Sequence, residues 1–128
     1  MNSGAPRVNA PETYLTWRWE DEEEEAAQKL VYVPDQKKPN GGTFVLRKED
    51  HTLGNLIRIQ LLRDSKVRFA GYRIPHPLVF EAHVRIETMD SQHKPLDVLQ
   101  AAIEDLKLEV EAIEKAFERE LLDKEKEI

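Results

Sequence analysis

The residues best suited to metal binding or proton transfer at neutral pH are four histidines, His51, His76, His83 and His93. They fall on a predicted helix start, a proline-flanked corner, a strand and a loop, and no two form an HExxH pair. With no cysteine in 128 residues, disulfides, thiolate metal sites and Cys/His clusters are excluded. No GxSxG or GxGxxG run occurs, and Gly41-Gly42 leads into a strand pattern without the Lys-Ser or Lys-Thr of a phosphate loop. The carboxylates stand in charge runs. The longest, Glu20-Asp21-Glu22-Glu23-Glu24-Glu25, lacks turn residues to wrap an ion and reads as a solvated loop. Arg58, Arg63, Lys66, Arg68 and Arg73 are the basic residues that would suggest a nucleic-acid face. They are interrupted, and the chain carries a net charge of −6, whereas phosphate contacts need clustered Lys and Arg. Nothing is left to perform catalysis or hold a cofactor, so a binding or structural subunit is expected.

The chain is long enough for one domain, which would bury roughly two-thirds of its unfolded surface. Its 40% hydrophobic and 34% charged residues suit a core with a highly charged exterior. No apolar run approaches the 18 or so residues of a membrane span. Met1-Asn2-Ser3-Gly4-Ala5-Pro6-Arg7 lacks an apolar signal core. A cytosolic or nuclear protein without a membrane partner is expected. The division expected is a loose tail over 1–11, one domain over 12–123 containing an acidic loop at 20–28, and a charged tail over 124–128.

Five segments read as strands. Tyr14-Leu15-Thr16-Trp17-Arg18-Trp19 alternates, with both tryptophans on one face. Lys29 to Val33 is a second strand, stopped by Pro34-Asp35, and Thr43 to Arg47 a third. Between them Asn40-Gly41-Gly42 reads as a turn using positive φ. Val67 to Ile74 is a fourth, where Gly71 suggests a bulge or a close backbone approach. Phe80 to Glu87 is a fifth, with Phe80, Ala82, Val84 and Ile86 facing one way.

Two segments read as helices. Asp50 or Thr52 supplies an N-cap for a helix reaching about Asp64. Leu53, Leu56, Ile57, Gln60 and Leu61 make one side, and Ile59 and Leu62 widen it beyond the roughly 100° needed to cover one sheet. Two contact surfaces follow. Gly54 in the first turn is costly by about 0.8–1 kcal/mol relative to Ala; it is either a neutral helix-start residue or a place where another backbone comes close. The second helix starts at Pro95 and runs toward Asp123. Leu96, Leu99, Ile103, Leu106, Val110, Ile113 and Phe117 follow a 3,4 rhythm that suits another helix. At about 42 Å it outruns so small a domain, and part of its seam must meet another copy or a different subunit.

Lys48-Glu49-Asp50-His51-Thr52-Leu53-Gly54-Asn55-Leu56 resembles the signature of the small alpha-like subunits of cellular RNA polymerases. Gln60-Leu61-Leu62-Arg63-Asp64, Phe69-Ala70-Gly71-Tyr72 and Ile74-Pro75-His76-Pro77-Leu78 follow at that family's spacing. The Phe-Ala-Gly-Tyr and Pro-His-Pro-Leu forms favour the RNA polymerase II type over the type shared by polymerases I and III. The archaeal type usually lacks so long an N-terminal part. The acidic run Glu20 to Glu25 departs from the family's pattern. The resemblance implies an α+β dimerisation fold, an antiparallel sheet with two helices on one face, the C-terminal one long. It also implies a non-catalytic nuclear subunit that pairs with the larger alpha-like (third) subunit. That heterodimer nucleates assembly of the two large catalytic subunits, and DNA is touched at most indirectly. The pairing residues it implies are Asp50, His51, Thr52, Leu53, Gly54, Asn55, Leu56 and Ile57 on the first helix. On the second they are Leu99, Ile103, Leu106, Val110, Ile113 and Phe117. A homodimeric coiled-coil adaptor is the reading from a different class.

Overall fold

The computed structural model describes residues 28–127. The Tyr14–Trp19 strand, the acidic run and the N-terminal tail lie outside them. Alternating side chains build four strands: β1 (Leu30–Pro34), β2 (Gly41–Arg47), β3 (Val67–Arg73) and β4 (Glu81–Thr88). Two helices, α1 (His51–Leu62) and α2 (Pro95–Lys126), complete the domain. The sheet is antiparallel throughout, in the order β1-β2-β4-β3. Since β2 and β3 both run against β4, the link between them must pass over β4, and α1 is that link.

Strand period puts Phe44 and Leu46 of β2, Ala70 of β3, and Ala82, Val84 and Ile86 of β4 on one face, where all are buried. Register sets Phe44 beside Val84, and Ala70 beside Ile86. Ile57 and Leu61 of α1 and Val98, Leu99 and Ala102 of α2 close over them in a single core. At the sheet's edge Tyr32 stacks on Phe44, centroids 4.6 Å apart. The start of α2 is set by Thr88, which is fully buried. Its hydroxyl reaches the carbonyls of Asp90 and His93 at 2.8 and 2.5 Å, and tightens the turn that leads to buried Pro95.

Several boundaries differ from expectation. Gly41 and Gly42 are strand residues and no described glycine has positive φ. A Cβ on Gly42 would collide with the Tyr32 ring, so close packing, and not turn geometry, explains the residue. The left-handed turn falls on Lys48 instead, at φ 57°, where the chain leaves β2 for α1. The irregularity in β3 lies between Val67 and Phe69, and Gly71 pairs in register with Arg85. Pro34 closes β1 from within, which an edge strand tolerates. Helix α2 continues past Asp123 to Lys126, so the charged tail is helical as far as Lys126, with Glu127 as the cap.

The opposite sheet face carries charge. Arg85 contacts Asp35 and Glu87, each at 2.9 Å, and Lys38 reaches Glu87 at 3.3 Å. The hydrogen bond from Arg85 is the main reason both carboxyls sit below their ordinary range. A depressed folded pKa stabilises the fold above the unfolded value, and the gain disappears as pH falls through the folded one. Arg85→Met is therefore less stable than wild type near pH 6, and the difference shrinks toward pH 3. Urea midpoints measured across that interval check it.

Candidate pairing surface

The N-terminus of α1 is held by its own domain. The Asp50 carboxylate accepts a hydrogen bond from the Thr52 N–H at 3.0 Å, so Asp50, and not Thr52, is the cap. Tyr72 of β3 leans over the first turn. Its hydroxyl shares a 2.9 Å hydrogen bond with His51 Nδ1, and the two rings meet edge to face at 5.6 Å. Gly54 lies beneath that ring. A Cβ there would stand 2.6 Å from Tyr72 Cδ2. The close approach expected at Gly54 is thus made by an aromatic side chain of this sheet, and Gly54 is buried within the domain. Asn55 is occupied locally, accepting from Arg58 Nε and Nη2 at 3.1 and 2.7 Å.

Helix α1 does present two surfaces. Gly54, Ile57, Gln60 and Leu61 turn inward and are buried. Leu56, Ile59 and Leu62 keep 45%, 43% and 50% exposure on the other side. Helix α2 changes character along its length. Val98, Leu99 and Ala102 enter the core, and Ile103 and Leu106 pack against its margin. Beyond them Val110, Ile113, Phe117, Leu121 and Leu122 are all at least half exposed. Leu96, expected in the seam, is exposed because the inward face at the helix start belongs to Val98 and Leu99. Where α1 and α2 diverge they leave an open apolar groove of about 500 Å³. Leu53, Leu56, Ile57, Ile103, Leu106 and Val110 line it, with Lys29, Lys107, Glu111 and Glu114 among its polar residues. A surface ion pair of 2.9 Å between Arg63 and Glu109 joins the two helices beyond it; such an exposed pair contributes about 0.2–1 kcal/mol at most.

Six of the expected pairing residues therefore meet around one groove, and Ile113 and Phe117 prolong its α2 side. Leu99 and Gly54 point into the domain, and Asp50, His51, Thr52 and Asn55 shape the helix start. Sequence reasoning missed Leu46 as groove lining, although its alternation with Phe44 marked it as inward. It also missed Tyr72, since nothing in a linear pattern pairs it with Gly54. Among the described residues, no three His, Asp or Glu side chains gather as metal ligands would.

Residues 42–116 match the family model described as the RNA polymerase Rpb3/Rpb11 dimerisation domain. The chain belongs to that family. A relative from Dictyostelium discoideum, named DNA-directed RNA polymerase II subunit rpb11, is 41% identical over 110 residues, covering 86% of this chain and 88% of the relative. A Schizosaccharomyces pombe protein, named DNA-directed RNA polymerase II subunit RPB11, is 41% identical over 92 residues, covering 72% and 74%. The solved DNA-directed RNA polymerase subunit L of Thermoplasma acidophilum shares the fold, with a TM-score of 0.59, 24% identity, and coverage of 71% and 86%. The stretch that carries the dimerisation-domain match spans α1, the groove and α2 as far as Ala116. The match therefore includes, beside β2, β3 and β4, the helices that form the open surface.

Tyr72 and Gly54 form a complementary pair with a double-mutant signature. Gly54→Ala destabilises the protein by about 1–3 kcal/mol, because the ring must move and overpacking costs that much. In a Tyr72→Ala background the clash is gone, and the same change is neutral or stabilising by up to about 1 kcal/mol, the helix preference of Ala over Gly. Urea denaturation of the four variants measures the coupling.

Proposed function

We propose that this chain is the small alpha-like subunit of a nuclear RNA polymerase II, and that it pairs through α1 and α2 with a larger, Rpb3-type subunit. The pair then acts as a platform for assembling the two large catalytic subunits. The chain contributes no catalytic group, and DNA is contacted at most indirectly. The observation that carries this reading is the apolar stripe of α2, which continues from the groove through Val110, Ile113 and Phe117 with no cover from its own domain. Burying one such side chain fully contributes about 1.5–3 kcal/mol. A handful of them, added to the outer face of α1, is enough to offset the several kcal/mol that association costs.

A homodimeric coiled-coil adaptor would need only the α2 seam. It leaves Leu56, Ile59 and Leu62 of α1 without purpose, whereas a partner filling the groove covers both helices. The relatives named as polymerase II subunits favour that polymerase over the polymerase I and III or archaeal equivalents.

Co-expression with the Rpb3-type subunit tests the reading. The wild-type chain co-purifies as a 1:1 complex. Val110→Asp with Ile113→Asp abolishes the complex while leaving the circular dichroism of the isolated chain intact, since both residues are exposed before pairing and carry charge into a buried seam afterwards. A complex that survives the double substitution places the interface elsewhere.

A further inference from the structure

The apolar stripe explains why α2 needs a partner but does not say which, because an apolar stripe also fits its own copy. The flanks differ in a way that bears on the choice. One residue after each member of the stripe Ile103, Leu106, Val110, Ile113 and Phe117 stand Glu104, Lys107, Glu111, Glu114 and Glu118. This second row repeats the 3,4 spacing, so it runs beside the stripe from Glu104 to Glu118. Lys107, Glu111 and Glu114 border the groove itself. Glu111 has a cation of its own in Lys115, 3.0 Å away and solvent-exposed. Glu114 and Glu118 have no ion-pair partner among the described residues. Acidic neighbours at this spacing lie about 5–6 Å apart and oppose helix formation by a few tenths of a kcal/mol per pair. Beyond Lys107 the flank is therefore acidic at three successive row positions, and only Glu111 is relieved by a cation of its own chain. The other flank holds Glu109, which Arg63 of the same chain already engages, and then Ala112 and Ala116.

We infer that the partner helix carries Lys or Arg where it meets Glu111, Glu114 and Glu118, and that this charge match excludes a second copy of this chain from the surface. The inference rests on the pairing proposed above. Self-pairing is isologous, so each patch must complement itself. A two-fold axis near Glu114 sets that residue against its own image and Glu111 against Glu118 of the copy. An acidic row cannot complement itself in that arrangement. A different chain with basic flanks buries the same apolar stripe and neutralises the row at once.

The test uses the full chain with Glu111→Lys, Glu114→Lys and Glu118→Lys combined. All three positions are exposed, and Lys forms helix about as well as Glu, so the chain still folds. Binding to the purified Rpb3-type subunit is measured by titration at low and high NaCl. Wild type binds most tightly at low salt; the reversed chain binds roughly tenfold or more weakly there, and the gap narrows as salt screens both. Equal affinity for the two chains, with wild type still bound, overturns the inference and leaves the pairing intact. Failure of wild type to bind at any salt overturns the pairing and the inference together. In sedimentation at low salt, wild type alone stays monomeric, and an equimolar mixture of wild-type and reversed chains gains a dimer. A wild-type dimer, or a mixture that stays monomeric, overturns the exclusion of self-pairing by charge.

Discussion

Everything in this domain follows from a mismatch between the sheet and the helix laid across it. Four strands about 4.8 Å apart, of up to eight residues each, offer a face of roughly 20 by 25 Å. Helix α2 has 32 residues and extends to roughly 48 Å. Only its first three turns find the sheet and α1 beneath them, where Val98, Leu99 and Ala102 are buried. The remainder keeps the spacing of an apolar seam with nothing of its own domain below it. Packing of an amphipathic face supplies most of a helix's stability in a protein, and this stretch of α2 has no such packing within its own domain.

The short helix prepares the other half of that surface. Its register on the sheet is set from its first turn, where the Asp50 cap, the His51–Tyr72 hydrogen bond and the missing side chain at Gly54 act on the same few residues. Ile57 and Leu61 then continue the inward face, which leaves Leu56, Ile59 and Leu62 outward by the geometry of the helix alone. Rotating α1 to expose Gly54 would bury a different set of residues and close the groove. The signature stretch thus shapes the groove at second hand. Its polar members and its glycine orient the helix, and its leucines line the groove wall.

Membership of the Rpb3/Rpb11 dimerisation-domain family gives this arrangement its meaning, since the matched residues run through both helices. Two kinds of information are carried on α2. In the pairing proposed above, the apolar stripe would supply the driving force, which is non-directional and insensitive to identity. Charges beside it would act at the rim, where they select among partners that bury similar area. On the sheet's far side the Arg85, Asp35 and Glu87 cluster ties the hairpin of β1 and β2 to β4.

Most of the architecture was legible from period and punctuation. Alternation marked β4 to within a residue, Asp50 or Thr52 and then Pro95 marked the two helix starts, and the 3,4 rhythm of α2 announced a surface larger than the domain. The outward leucines of α1 were readable as excess width. Tertiary structure decided what local pattern leaves open. Gly41 and Gly42 lie in a strand, where the Tyr32 ring leaves no room for a side chain on Gly42, and the positive φ falls on Lys48. Gly54 answers to Tyr72, eighteen residues further on in the sequence, a contact that exists only once α1 has crossed β4. The stripe of α2 looked uniform in sequence, yet it is core at Val98, Leu99 and Ala102, marginal at Ile103 and Leu106, and open from Val110 onward. Residue type and spacing determine which faces are apolar; the finite size of the sheet determines which of them are already covered.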